Sequence, residues 1–130
     1  SIDNTSKSDK NIRPWHLLES LGNKNIKKSI SIVEALQKNS YSIIPIIINL
    51  YNFYMCMLFY KNNLGNNFSY GLNKIINNKM IQYSKKYSNN EISNIIIDLK
   101  NMDVLIKTTN LNHMSLISIF IIKICQEYYG

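Results

Sequence analysis

The sequence predicts an all-α protein, a compact bundle of about five to six helices around one central apolar helix. Three observations carry this. Gly and Pro are scarce, four and two among 130 residues, so the sharp turns of a many-stranded sandwich or barrel are missing. Residues 43–60 read IIPIIINLYNFYMCMLFY, almost continuously apolar. A helix over them runs ~27 Å at ~1.5 Å per residue, and a helix apolar on every side must be covered on every side. The flanking segments repeat apolar residues every three or four positions and so supply amphipathic helices as the cover. Length alone also admits a membrane span, which needs ~17–25 residues. Asn49 and Asn52 suit hydrocarbon poorly, and the amphipathic neighbours need a shared axis, so the segment reads as a buried helix.

The elements follow in order. Residues 1–12 are polar and mixed in charge and read as a flexible linker; the helical domain covers 13–130. Pro14 suits the first turn of a helix, where its missing N–H costs nothing. Trp15, Leu17, Leu18 and Leu21 follow, with Gly22 as the C′ residue. Asn23 or Asn25 caps a second helix, whose apolar positions are Ile26, Ile30, Val33 and Leu36, with Lys24, Lys27, Lys28 and Lys38 mainly opposite. The polar stretch 38–42 ends it, and the central helix starts with Pro45 in its first turn. KNNLGNNFSYG, residues 61–71, is a loop. Asn73 caps a helix through Tyr87 that buries Ile75, Ile76, Met80, Tyr83 and Tyr87. Ser88 and Glu91 form a capping box, opening a helix with one stripe of Ile92, Ile95, Ile96, Leu99, Met102 and Ile106. Asp103 and Lys107 stand i, i+4 in the favourable order, worth ~0.2–0.5 kcal/mol when exposed. The last helix runs from about Asn112 to Tyr128. One face carries Met114, Ile117, Ile121, Ile124 and Tyr128, and a second carries Leu116, Ile119, Phe120 and Ile122. A second apolar face with few elements left to cover it points to a neighbouring subunit, with Leu116, Ile119 and Phe120 as interface candidates.

Composition bounds the chemistry. The length suits one domain, and 45% hydrophobic content is that of a globular chain. Asn, Ile, Lys and Tyr are abundant together, a low-GC coding bias. Cys56 and Cys125 read as reduced core thiols, and with His16 and His113 at unrelated spacings they do not make a zinc site. No paired carboxylates, Ser-His-Asp set or Cys-His set can be assembled; His16 reads as a surface or capping residue and Glu91 as a cap. No catalytic, metal or cofactor residues are assigned. SIDNTSKSDK lacks the apolar run of a signal peptide, so the expected compartment is the cytoplasm. The net charge of +7 admits an acidic partner or nucleic acid. In that second reading Lys24, Lys27, Lys28, Lys85 and Lys86 would face phosphates, although scattered lysines are more simply a solvated surface.

Four segments carry a family resemblance: WHLLESLGNKNIKKSISIVEAL, IIPIIINLYNFYMCMLFYK, GLNKIINNKMIQYSKKYS with its closing Tyr87-Ser88, and EISNIIIDLKNMDVLIKTTN with Asp103 and Lys107. Their order resembles the C-terminal helical domain of the delta subunit of the bacterial DNA polymerase III clamp loader, most like delta subunits of the Bacteroidetes type. The likeness covers about residues 13–126. Lys74 stands where the family usually has Pro, and the loop after Lys61 is short.

The resemblance implies a non-catalytic oligomerisation (collar) domain. In the family, delta adds two N-terminal modules of the AAA+ type, and its C-terminal domain joins gamma/tau and delta prime in a collar. The collar holds the modules that place the sliding clamp on primed DNA during replication. Clamp contact would run only through the N-terminal modules, DNA contact would be indirect, and no membrane is involved. This stretch has no G-x-x-x-x-G-K-[ST] loop, so ATP binding is not implied.

Overall fold

The apolar stretch forms the helix on which the others are placed. The computed structural model describes residues 11–64 and 72–130, and among these residues there are seven helices and no strand. They are α1 (Pro14–Gly22), α2 (Ile26–Lys38), α3 (Ile43–Lys61), α4 (Lys74–Asn78), α5 (Met80–Ser84), α6 (Asn89–Thr108) and α7 (His113–Cys125). α3 packs on α6 along most of its length, and on α5 and α1. α2 and α7 pack on each other as a second layer; α2 packs about as extensively on α1, and α7 touches α1 and α6 more lightly. The cover is therefore lopsided rather than a ring around one axis. The expected linker, up to residue 10, and loop residues 65–71 lie outside the described residues. Ile12 already packs against the core.

α3 is long and apolar enough to cross a membrane by length and composition. Here it is a core helix: Ile46, Ile47, Leu50, Phe53, Tyr54, Cys56 and Met57 are all buried. Full burial of such side chains contributes ~1.5–3 kcal/mol each before entropy is set against it. The cover is incomplete at Ile48, which is 52% exposed. Ile48 lies with Ile44 and Tyr51 along a groove closed on the far side by Val104 and Lys100 of α6.

Local chemistry sets most boundaries. The Asn25 side chain accepts from the Lys28 N–H (3.1 Å), Asn73 from Ile75 (2.7 Å) and Asn112 from Ser115 (3.0 Å). Each satisfies an amide that a helix start would otherwise leave open. Ser88 and Glu91 form the reciprocal box, with Glu91 N–H to Ser88 Oγ at 3.0 Å and Ser88 N–H to Glu91 Oε1 at 3.3 Å. The stripe on α6 is buried as expected, from Ile92 to Ile106. Lys107 meets Asp103 at 3.0 Å.

Four expectations are corrected. Gly22 is the last residue of α1 rather than its C′ residue; a Cβ there would stand 2.6 Å from Cδ1 of Tyr83, so glycine is needed for close approach. The reversal falls to Lys24, with φ of +54°. On α2 the buried face is Ser29, Ile32, Val33 and Leu36, while Ile26 is exposed and Ile30 half-buried. The small Ser29 lets α1 and α2 close, and its hydroxyl meets that of Ser20 at 2.8 Å, both buried. The helix expected from Asn73 to Tyr87 is two short ones, interrupted at Lys79, with Ile75 turned out to 44% exposure. The last helix stops at Cys125, Tyr128 is 70% exposed, and Tyr129 is the aromatic that turns inward.

A buried polar relay joins α3, α1 and the segment after α5. The Tyr87 hydroxyl donates to the main-chain oxygen of Leu21. A carbonyl only accepts, so the Tyr54 hydroxyl must be the donor to Tyr87 across 2.9 Å. Burial pushes both phenols well above their ordinary range. Burial likewise raises the Cys56 and Cys125 thiols, with Lys24 partly opposing the rise at Cys125. Both cysteines are free.

Candidate subunit interface

α7 is capped by Asn112, whose side chain fixes its first turn, and carries apolar residues on both sides. Ile117, Phe120, Ile121 and Ile124 are buried. On the other side Ile119 is 52% and Ile122 38% exposed, and Leu116 is half-buried. Of the three interface candidates, Ile119 therefore belongs to an outward face, and Leu116 lies at its edge, packed against the core. Phe120 does not belong to it. It is 1% exposed and packs inside, because at 100° per residue it falls on the Ile117–Ile121 side. Ile122 takes its place on the outward face, one turn beyond Ile119.

The basic candidates separate in the same way. Lys24 is turned inward: its side chain is 11% exposed, its Nζ donates to Glu91 Oε2 at 2.7 Å and stands 4.4 Å from the centre of the Tyr87 ring. It balances a buried carboxylate and is withdrawn from any phosphate-facing set. Lys27, Lys28, Lys85 and Lys86 are exposed. Lys28 reaches Glu19 at 4.0 Å, and Lys79, which was not singled out from the sequence, reaches it at 3.1 Å. Glu19 thus draws one lysine from α2 and one from the break between α4 and α5, a relation that no local spacing announces.

His16 acts as a cap. Its Nδ1 accepts from the Arg13 N–H at 2.9 Å, and its ring stacks on Trp15 with centroids 3.9 Å apart. Glu91 is occupied by its capping role and by Lys24. Among the described residues no three His, Cys, Asp or Glu side chains group closely enough to hold a metal ion.

The geometry defines a class first: a small two-layer helical domain with exposed aliphatic side chains on several helices, Ile119 and Ile122 of the last helix among them. The chain belongs to the family of the DNA polymerase III delta subunit, C-terminal domain, whose model matches residues 12–124. That membership makes it a clamp-loader component. No curated protein and no solved structure matches the chain.

Proposed function

We propose that this domain is the oligomerisation (collar) element of a delta subunit, and that it docks on neighbouring clamp-loader subunits through Leu116, Ile119 and Ile122. The observation that carries the reading is Ile119, an aliphatic side chain left 52% exposed in mid-helix while the opposite side of α7 is sealed. Apolar area of this kind is removed from water by a partner. The partners are gamma/tau and delta prime; the sliding clamp is reached through N-terminal modules of the parent subunit, and the setting is the bacterial cytoplasm. The domain acts by holding subunits together, and catalysis belongs to other parts of the assembly.

The test is reconstitution. Mixed with gamma/tau and delta prime of the same organism, the chain should co-elute in one complex by size-exclusion chromatography with light scattering. Elution of the chain alone under conditions where the other subunits assemble would contradict the reading. A second reading draws on the exposed cations Lys27, Lys28, Lys85 and Lys86. Direct phosphate contact would show as affinity for single-stranded or primed DNA that falls steeply with salt; no binding at low salt would remove it.

A further inference from the structure

α7 poses a problem of specification. Ile117, Phe120, Ile121 and Ile124 face in, Ile119 and Ile122 face out, and Leu116 lies half-buried between the two sets, packed against the core, yet all are hydrophobic. Burial alone distinguishes poorly between rotations of such a helix about its axis. Nor does α6 grip it along its length: α7 packs mainly on α2 and touches α6 sparingly.

Polar contacts made just beyond the helix supply what burial does not. At Glu127 the chain turns through φ of +58°, a left-handed conformation unusual for a non-glycine residue. Tyr129 is thereby folded back over α7. Its ring is 6% exposed and lies beside Phe120, with centroids 6.1 Å apart. Its hydroxyl donates to Asp98 Oδ2 on α6. Asn94, one turn earlier on α6, donates from Nδ2 to the Tyr129 main-chain oxygen at 3.0 Å. Lys123 of α7 reaches the same Asp98 oxygen at 3.8 Å. Asp98 thus holds two groups that only one rotation of α7 brings together. Tyr129 lies past residue 124, where the family match stops.

We propose that Asp98 and Tyr129 form a latch that fixes the rotation of α7 and so decides which aliphatic side chains face outward. Tyr129 is a positioning residue: it orients the docking strip without belonging to it. The consequence for docking rests on the function proposed above, whereas the latch itself is read in the isolated chain.

The test places a cysteine reporter at Ile117→Cys or, separately, at Ile119→Cys, and follows maleimide alkylation peptide by peptide, with Cys56 as an internal control for the core. In the parent chain position 119 reacts fast and position 117 is protected. With Asp98→Ala and Tyr129→Phe added, the gap between the two rates should shrink by about tenfold or more, with helicity and Cys56 protection retained. Unchanged protection at 117 would overturn the latch, as would exposure of Cys56 in step with 117, which marks general loosening. Should the double variant lose helicity, Tyr129→Phe alone carries the same outcomes. Failure of Ile119→Asp to disturb subunit assembly would count against the docking role while leaving the latch result standing.

Discussion

Lys24 and Glu91 meet at 2.7 Å across 67 residues of sequence. The pair ties the α1–α2 turn to the start of α6, and Glu127 stands 3.7 Å from the same ammonium. Glu91 is 4% exposed and serves its own helix as a cap. Two local devices, a left-handed turn and a capping box, are thus locked together by one ion pair.

Removing one member leaves the other charged and buried. Lys24→Met should destabilise the domain by about 3 kcal/mol, the lower end for breaking a buried pair from one side. Urea unfolding followed by circular dichroism measures it. Adding Glu91→Gln should cost less than the sum of the two single changes, since no orphan charge then remains. Full additivity would mean that the pair contributes nothing as a pair.

Gly22 tests the packing of α1 on α5. Gly22→Ala should cost about 1–3 kcal/mol, because the new methyl meets a buried ring. Combining it with Tyr83→Leu should yield less than the summed loss, as the smaller side chain makes room. A Gly22→Ala change that stabilises the protein, as helix propensity alone would have it, contradicts the close contact.

These cases show where the sequence was legible. The cap at Asn73, the one at Asn25 out of the pair Asn23 or Asn25, and the box at Ser88 are local, needing only a side chain two or three residues from an amide, and they stand as read; the cap at Asn112 is of the same kind but was not singled out. The α6 stripe is legible because α6 packs mainly on one neighbour, α3. α2 was misread because it must face both α1 and α7, and the residue at its crossing with α1 is Ser29, which an apolar count passes over. The break at Lys79 lies in a run of Asn and Lys whose helical continuity depended on tertiary support. Phe120 was assigned to the wrong side because two apolar faces on one helix leave its rotation open, and Tyr128 because the helix stops at Cys125 and the chain turns at Glu127. Lys24 looked like its neighbours on α2, and only a carboxylate brought in by α6 sets it apart.

The tyrosines make the domain sensitive to alkali. Burial pushes Tyr83 up to about 12, with Glu19 adding to the rise, and also raises Tyr54, Tyr87 and Tyr129. In the unfolded chain these phenols titrate near 10. Above that pH the unfolded state binds fewer protons than the folded one, so stability falls as pH rises. Stability should be unaffected by these groups below about pH 9 and decline above about pH 10, with phenolate absorbance from the buried tyrosines appearing together with unfolding. Flat stability through that window would contradict their burial.

Tyr83 offers a finer version. Its hydroxyl is buried without a hydrogen-bond partner, so Tyr83→Phe should be neutral or stabilise by up to about 1 kcal/mol. It should also lessen the alkaline decline. A loss greater than about 1 kcal/mol, measured by urea unfolding, would reveal a partner for that hydroxyl.

The outward strip of α7 is tested most directly by the affinity of Ile119→Asp for the subunits proposed above as its partners, measured by sedimentation velocity beside the parent chain. Ile119 is half-exposed, so helicity and unfolding midpoint should stay at the parent's values while affinity drops by at least about tenfold, the signature of a desolvated anchor. Equal affinity for variant and parent would contradict the assignment of α7 as the docking helix.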